Sequence, residues 1–272
     1  MTAPFQDLTT AELTARLRAA GCVYAEEEAA ILLGAAGTAQ ELDDMAARRV
    51  KGFPLEHIVG WAAFHSLRIK VAPGVFVPRL RTEFLVREAA AILRREGGTA
   101  GGGGNAVVLD LCCGSGAIGA ALAAELPRLE IHAADIDPAA VACAAANLAL
   151  FTGAVHCGDL FEPLPAALRG RFRIITANAP YVPTQDIAFM PQEARLFEPD
   201  AALDGGADGL DIQRRIAGQA REWLRPGGHL IVESSPAQAA ESVRILERNG
   251  FRAASVHSEQ LDGTAVIGRR GG

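Results

Sequence analysis

At 272 residues, half of them hydrophobic, the chain is long enough to bury a large core, which excludes a disordered or fibrous protein. The formal net charge of -6 argues against a protein held to nucleic acid by a general basic face, and no apolar run approaches the roughly 20 residues of a membrane-spanning helix. Cys22, Cys112, Cys113, Cys143 and Cys157 lack CxxC spacing and no charged-then-apolar leader opens the chain, so a reduced, cytoplasmic setting is expected.

In chain order, residues 8–50 read as helical, with stripes of Leu13, Leu17 and Ala20, then Ala29, Ile31, Leu32 and Leu33, then Leu42, Met45 and Ala46. Thr9 and Thr10 are candidate N-caps, Gly21 and Gly34 candidate stops, and the run Glu26, Glu27, Glu28 reads as a solvated helix face. Residues 61–77 alternate and contain Pro73-Gly74, which predicts two strands around that turn. A helix over 82–95 and a flexible Gly-rich loop over 97–105 follow.

Strands and helices then alternate: strand 106–111, helix 117–124, strand 130–134, helix 139–148, and strands 154–157 and 172–177. A helix near 210–224, a strand over 228–233, a helix over 237–249 and a closing pair over 251–257 and 264–269 complete the pattern. Such repetition predicts an α/β fold with a doubly wound, mostly parallel sheet and a ligand at the carboxyl ends of its strands. Three segments are expected: a helical domain over 1–57, a β-hairpin linker over 58–80 and a catalytic domain over 81–272.

The apolar strand Val107 to Leu111 runs through Cys112, Cys113, Gly114, Ser115 and Gly116 into the next helix, so backbone there can approach a ligand closely. Gly114, Gly116 and Gly119 satisfy GxGxxG, and Asp135 follows about twenty residues on, as dinucleotide binding requires. S-adenosylmethionine fits the same layout, with Asp135 accepting from its ribose diol, and Asp110 is placed to hold the loop or the cofactor's ammonium end. Asp159 and Leu160 follow the third strand of the sheet, where a carboxylate can accept from an adenine amine and a leucine can pack on the ring; a turn cap is the alternative. Asp137-Pro138 reads as a helix start. The cysteines and six histidines have no metal-ligand spacing, so no metal is expected, and Ser115 lacks the glycines of a nucleophile elbow.

Asn178-Ala179-Pro180-Tyr181 ends the apolar run 172–177. The Asn oxygen and the Ala179 carbonyl can accept from an NH2 group beside a flat aromatic surface, which methyl transfer to a delocalised, weakly nucleophilic nitrogen requires. Taken alone, the string also serves as a strand exit terminated by Pro. Because hydride transfer has no use for it, it tilts the cofactor assignment from a dinucleotide to S-adenosylmethionine.

Pro54-Leu55-Glu56-His57-Ile58-Val59-Gly60, Val77-Pro78-Arg79-Leu80-Arg81-Thr82-Glu83, the glycine loop and Asn178 to Tyr181 together resemble the HemK-like protein-(glutamine-N5) methyltransferases. The resemblance continues through Phe197-Glu198-Pro199, Ala202 to Gly209 and Val266 to Arg269. It implies a Rossmann-like class I methyltransferase using S-adenosyl-L-methionine, with a glutamine-bearing protein, such as a peptide-chain release factor, as partner. By this similarity Cys112 to Gly116, Asp135 and Asn178 line the cofactor, Leu160 flanks adenine, and Asn178, Ala179, Pro180 and Tyr181 hold the substrate glutamine. Pro78 to Glu83 covers the site, with an Arg79–Glu83 ion pair as the purely structural alternative. Ala179 stands where the family has a first Pro, which loosens the loop. Cys112 stands where it has glycine, which requires a negative φ there, and the helical segment between Gly37 and Arg48 is shorter than usual. Methylation of adenine or cytosine amino groups is the rival activity, disfavoured by the acidic balance; an idle binding module and a nicotinamide-dependent reductase are rivals of another class.

Overall fold

The computed structural model describes residues 9–95 and 105–272; most of the expected Gly-rich loop lies outside them. Helices α1 (Thr10–Ala19), α2 (Ala25–Ala35), α3 (Ala39–Val50) and α4 (Leu55–Val59) open the chain. Thr9 and Glu12 form a capping box on α1, with Glu12 N donating to Thr9 Oγ1 at 3.2 Å and Thr9 N to Glu12 Oε2 at 2.8 Å. Gly21, with φ +92°, follows the end of α1, but Gly34 lies inside α2, where its neighbours' packing outweighs its low helix propensity. Leu13, Leu17, Ala29, Leu32, Leu42, Ala46 and Ile58 make a hydrophobic core of their own. The acidic run is not wholly a solvated face: Glu28 is largely buried and pairs with Arg49 at 2.6 Å, tying α2 to α3.

Strands β1 (Trp61–Phe64) and β2 (Leu67–Lys70) form an antiparallel hairpin. The turn between them is His65-Ser66, both residues at positive φ (47° and 63°), and not Pro73-Gly74 as expected; a two-residue loop with positive φ matches the right-handed twist of paired strands. Asn147 clamps the hairpin to the rest of the molecule: it accepts from Lys70 N at 2.9 Å, and its Nδ2 donates to Lys70 O at 3.0 Å and Ser115 O at 2.8 Å.

Helix α5 (Glu83–Arg95) leads to a sheet built from β3 (Ala106–Leu111), β4 (Leu129–Asp135), β5 (Gly153–Cys157), β6 (Phe172–Ala177), β7 (Leu224–Ser234), β8 (Phe251–Ser258) and β9 (Gly263–Arg270), in the order β5-β4-β3-β6-β7-β9-β8. Strands β3 to β7 pair in parallel, while β9 runs antiparallel to both β7 and β8. The Rossmann-like, doubly wound α/β expectation holds, with an antiparallel end. Helices α6 (Ala117–Glu125), α7 (Pro138–Leu148), α8 (Gln192–Phe197), α9 (Asp211–Trp223) and α10 (Ala239–Arg248) complete the chain. Asp137 caps α7, accepting from Ala139 N at 2.9 Å ahead of Pro138.

All of β3 is buried, and alternate residues serve opposite faces. Ala106 and Val108 join the core under α5, α6 and α7, whereas Val107, Leu109 and Leu111 join the core that includes residues of α9 and α10. Strand β7 starts four residues earlier than the apolar run suggested, because Phe172 pairs with Leu224 before a register shift takes up the Arg225-Pro226-Gly227-Gly228 turn. Phe172 is fully buried there, with its ring 6.4 Å from Trp223, which stacks on Phe161 at 5.8 Å. Phe172→Ala is expected to destabilise the fold by about 3–5 kcal/mol, through lost burial and the cavity left behind. Urea denaturation checks this as a lower midpoint at unchanged m-value.

Candidate active site

Strand order reverses between β3 and β6, since β4 and β5 continue on one side of β3 and β7 on the other side of β6. In such sheets the crevice at the strands' carboxyl ends is the ligand site. Leu111 pairs with Ala177, so the two segments that follow, Cys112 to Gly116 and Asn178 to Tyr181, leave the sheet side by side.

The turn after β3 is held by hydrogen bonds from its backbone N–H groups. Cys113 N donates to Ala134 O at 3.1 Å, Gly116 N to Cys113 O at 2.7 Å, and Gly114 N to Asp135 Oδ2 at 2.8 Å. Gly116 has φ +74°, and a Cβ there would lie 3.0 Å from the Cα of Ala144 in α7, so the position demands glycine on both counts. Cys112 does not meet the condition set for it: its φ is +54°, the left-handed region that glycine tolerates and other residues enter at a cost of roughly 1–2 kcal/mol. Leu160 has φ +47°. Both left-handed residues line the same cavity, and such strain concentrates at functional sites.

That cavity has a volume of about 650 Å³, within the range of small-molecule sites. Cys112, Cys113, Gly114, Ser115, Asp135, Asp159, Leu160, Asn178, Ala179, Pro180 and Tyr181 all line it. Two expected cofactor residues do not. Gly116 is turned into the packing with α7, and Asp110 is completely buried behind the loop, its Oδ2 accepting from Gly119 N at 2.9 Å and its Oδ1 facing the Thr176 hydroxyl at 3.4 Å. Holding the loop is therefore the role its geometry serves, rather than the ammonium contact. Asp159 is at the cavity edge but already paired with Arg215 at 2.5 Å, an ion pair the strand-end reading did not foresee.

Burial sets the electrostatics. It pushes Asp110 up to about 7 against the opposing effect of the Gly119 N–H, and it raises Asp135 despite N–H donation from Asp137 and Gly114. Cys112 and Cys113 are raised by burial too, which keeps them neutral thiols without the thiolate character of a nucleophile. Tyr181 is pushed up to about 12 by burial and the Glu233 charge, so it stays a phenol at neutral pH.

On the opposite side, Asn178 Nδ2 donates to Thr82 Oγ1 at 3.3 Å, and Tyr181 OH donates to Glu233 Oε1 at 3.2 Å, with Arg81 Nε 3.4 Å from the same oxygen. Gln238 fixes the loop from behind, its Nε2 donating to Tyr181 O at 2.9 Å and Asp208 O at 3.0 Å. A Cβ at Gly209, which has φ +76°, would lie 2.2 Å from Tyr181 O; only glycine lets the 205–209 turn approach so closely. The Arg79–Glu83 pair does not form. Arg79 pairs instead with the buried Glu198 at 2.6 Å, which also accepts from Val77 N, and Glu83 accepts from His65 N at 2.8 Å. Sequence reading assigned nothing to Glu233 or Gln238, although an acidic residue closing a buried apolar strand is a usable signal.

Residues 82–198 match the family described as Methyltransferase small domain. A methyltransferase from Pyrococcus furiosus of solved structure superposes with a TM-score of 0.53 at 16% identity, over 75% of this chain and 89% of that one. The fold and site thus define a class I, Rossmann-like methyltransferase. The release factor glutamine methyltransferase of Geobacter sulfurreducens is 42% identical over 209 residues, 76% of this chain and 69% of that protein. That of Moorella thermoacetica is 36% identical over 256 residues, 87% of each. The chain belongs to the release factor glutamine methyltransferase family.

A carboxyl whose pKa is raised by folding stabilises the protein fully only at low pH, and that contribution is lost as pH climbs from the ordinary carboxylate range through the raised value. For Asp110 the window runs from about 4 to about 7. Asp110→Asn should therefore flatten the fall in stability between about pH 4 and pH 7, by on the order of 2–4 kcal/mol, leaving the part due to Asp135, Glu198 and Glu233, all also raised by burial. Denaturant melts of both proteins across that range measure the difference.

Proposed function

We propose that the protein transfers a methyl group from S-adenosyl-L-methionine to the side-chain amide nitrogen (N5) of a glutamine in a peptide-chain release factor. One observation carries this reading: the glycine turn and the Asn178-Ala179-Pro180-Tyr181 segment face one cavity from adjacent strand ends. The names of the Geobacter and Moorella relatives support the substrate.

When bound, S-adenosylmethionine supplies an electrophilic methyl group on a positively charged sulfur. The residues present suit it. Gly114 and Ser115 offer close backbone approach, Asp135 keeps lone pairs for a ribose diol beside the N–H bonds it accepts, and Ile118, Ile136, Ala140 and Leu160 give the apolar flank that adenine needs. Asp159, paired with Arg215, marks the adenine end.

Asn178 Oδ1 and the Ala179 carbonyl accept from the two hydrogens of the glutamine NH2, orienting its lone pair toward the methyl group. As the N–CH3 bond forms and the sulfur–methyl bond breaks to leave a neutral thioether, the same two oxygens stabilise the positive charge on nitrogen, and the surplus N–H proton is released to solvent afterwards, so the residues act by orientation and charge complementarity. Pro180 and Tyr181 pack beside the amide and exclude water. The neutral phenol of Tyr181 takes no proton.

The N-terminal helices, through residue 57, dock the protein substrate, and the 58–80 segment links them to the cavity, which its Phe76, Pro78 and Arg79 line. Contacts with α8 hold these helices against the catalytic part: Arg49 reaches Glu193 at 3.4 Å, and the Phe53 and Phe197 rings are 4.3 Å apart. A cytoplasmic setting suits a substrate of the translation apparatus and the free cysteines; among the described residues no helix is long and apolar enough to cross a membrane.

Asn178→Ala should lower methylation of a purified release factor by about 100-fold or more while S-adenosylmethionine affinity, measured by calorimetry, changes by less than about threefold. Mass spectrometry of the product locates the methyl group. Turnover at the wild-type rate in the variant would overturn the assignment of Asn178, and label on an adenine-containing oligonucleotide in place of glutamine would overturn the substrate.

A further inference from the structure

The groups that suit adenine, ribose and methyl transfer succeed one another along the sheet: Asp159 follows β5, Asp135 ends β4, the glycine turn follows β3 and Asn178 follows β6. The methionine tail of an extended cofactor continues that series toward β7, and its α-carboxylate needs a cation or N–H donors once water is displaced. Three arginines line the cavity. Arg215 is committed to Asp159 at 2.5 Å, and Arg79 to the buried Glu198 at 2.6 Å. Arg81 differs. Its Nε donates to Glu233 Oε1, on β7, at 3.4 Å, and among the described residues no hydrogen bond takes up its Nη groups. The Arg81 side chain is 48% exposed and that of Glu233 2%, so Glu233 anchors the guanidinium from inside the fold and leaves its outer edge free.

We propose that Arg81 binds the α-carboxylate of S-adenosyl-L-methionine through the free Nη edge of its guanidinium. The inference rests on the proposed function, because it names the residue that takes one end of that cofactor. A guanidinium presents its N–H donors in a planar fork that matches the two oxygens of a carboxylate, and it keeps its charge throughout the working pH range. The bond from Nε to Glu233 fixes the plane of the fork, so less ordering is left for the ligand to impose. The pairing also serves the reaction. Tyr181 OH donates to the same Glu233 oxygen at 3.2 Å, which brings Arg81 close to the substrate segment. An uncompensated cation there would oppose the positive charge carried by sulfur and then by nitrogen, and a carboxylate laid on it removes that opposition. An acidic side chain of the release factor offers the same chemistry, and the test separates the two sources.

Calorimetry with S-adenosylmethionine and with its decarboxylated analogue, which keeps adenosine, sulfonium and ammonium, tests this without turnover. Wild-type protein should bind the complete cofactor about tenfold or more tighter than the analogue, as a charge-assisted pair requires. Arg81→Met should lower affinity for S-adenosylmethionine by about tenfold while affinity for the analogue stays within about threefold of wild type. Arg81→Lys, a point charge without the fork, should fall between the two. Equal losses for both compounds in Arg81→Met would mean that the side chain only shapes the cavity. Unchanged affinities for both, with a raised KM for the release factor, would move the carboxylate to the protein substrate. Either result overturns the assignment. The wild-type comparison needs no variant to fold: if it binds the two compounds equally and still methylates the release factor, the role of Arg81 falls alone. A wild-type protein that binds neither compound removes the functional reading and the inference with it.

Discussion

The register of β3 against β6 is the constraint from which the rest of the site follows. Pairing Leu111 with Ala177 makes both strands end at one level, at the place where the sheet's winding changes direction. A one-residue slip in a parallel pair buried on both faces would turn every side chain into the wrong core. Alternation of Val107, Leu109 and Leu111 against Ala106 and Val108 therefore locks the register through packing. Chemistry at the strand ends inherits that precision without needing rigid loops of its own.

Buried carboxylates then organise what leaves the sheet. Asp110 accepts from Gly119 N in the first turn of α6, Asp135 accepts from Gly114 N of the glycine turn and from Asp137 N after β4, and Glu233 gathers Tyr181 and Arg81. Each charge is costly to bury, and burial raises each of them. Their value lies in directionality: a carboxyl oxygen fixed in the packing decides which way its N–H and O–H donors face, whereas an apolar filler would leave the loops free to choose.

Much of this was legible in the sequence. The strand at 106–111 and that at 172–177 were bounded by composition alone, because continuous apolar runs ending in Gly-rich or Pro-containing turns have few other solutions. The glycine turn and Asn178 to Tyr181 follow from motif and resemblance at the ends of those strands, and both line the cavity, whereas Phe76, Met190 and Ile212 carry no such motif. Long-range pairing between side chains is not legible in the sequence. Arg79 lies four residues from Glu83 but meets Glu198, and Asp159 meets Arg215, because tertiary contacts and not spacing choose ion partners. The hairpin turn is hidden for a related reason: His65-Ser66 has no strong turn signature, and Pro73-Gly74 does. Gly34 misled because propensity is a weak prior inside a packed helix.

The left-handed backbone at Cys112 and Leu160 narrows which mutations the protein can accumulate. At such φ values a β-branched replacement crowds its own carbonyl far more than an unbranched one does, so valine, isoleucine and threonine are closed to both positions while asparagine or glycine stay open. The tolerance of the cavity wall to substitution is thus confined by main-chain geometry before any ligand is considered.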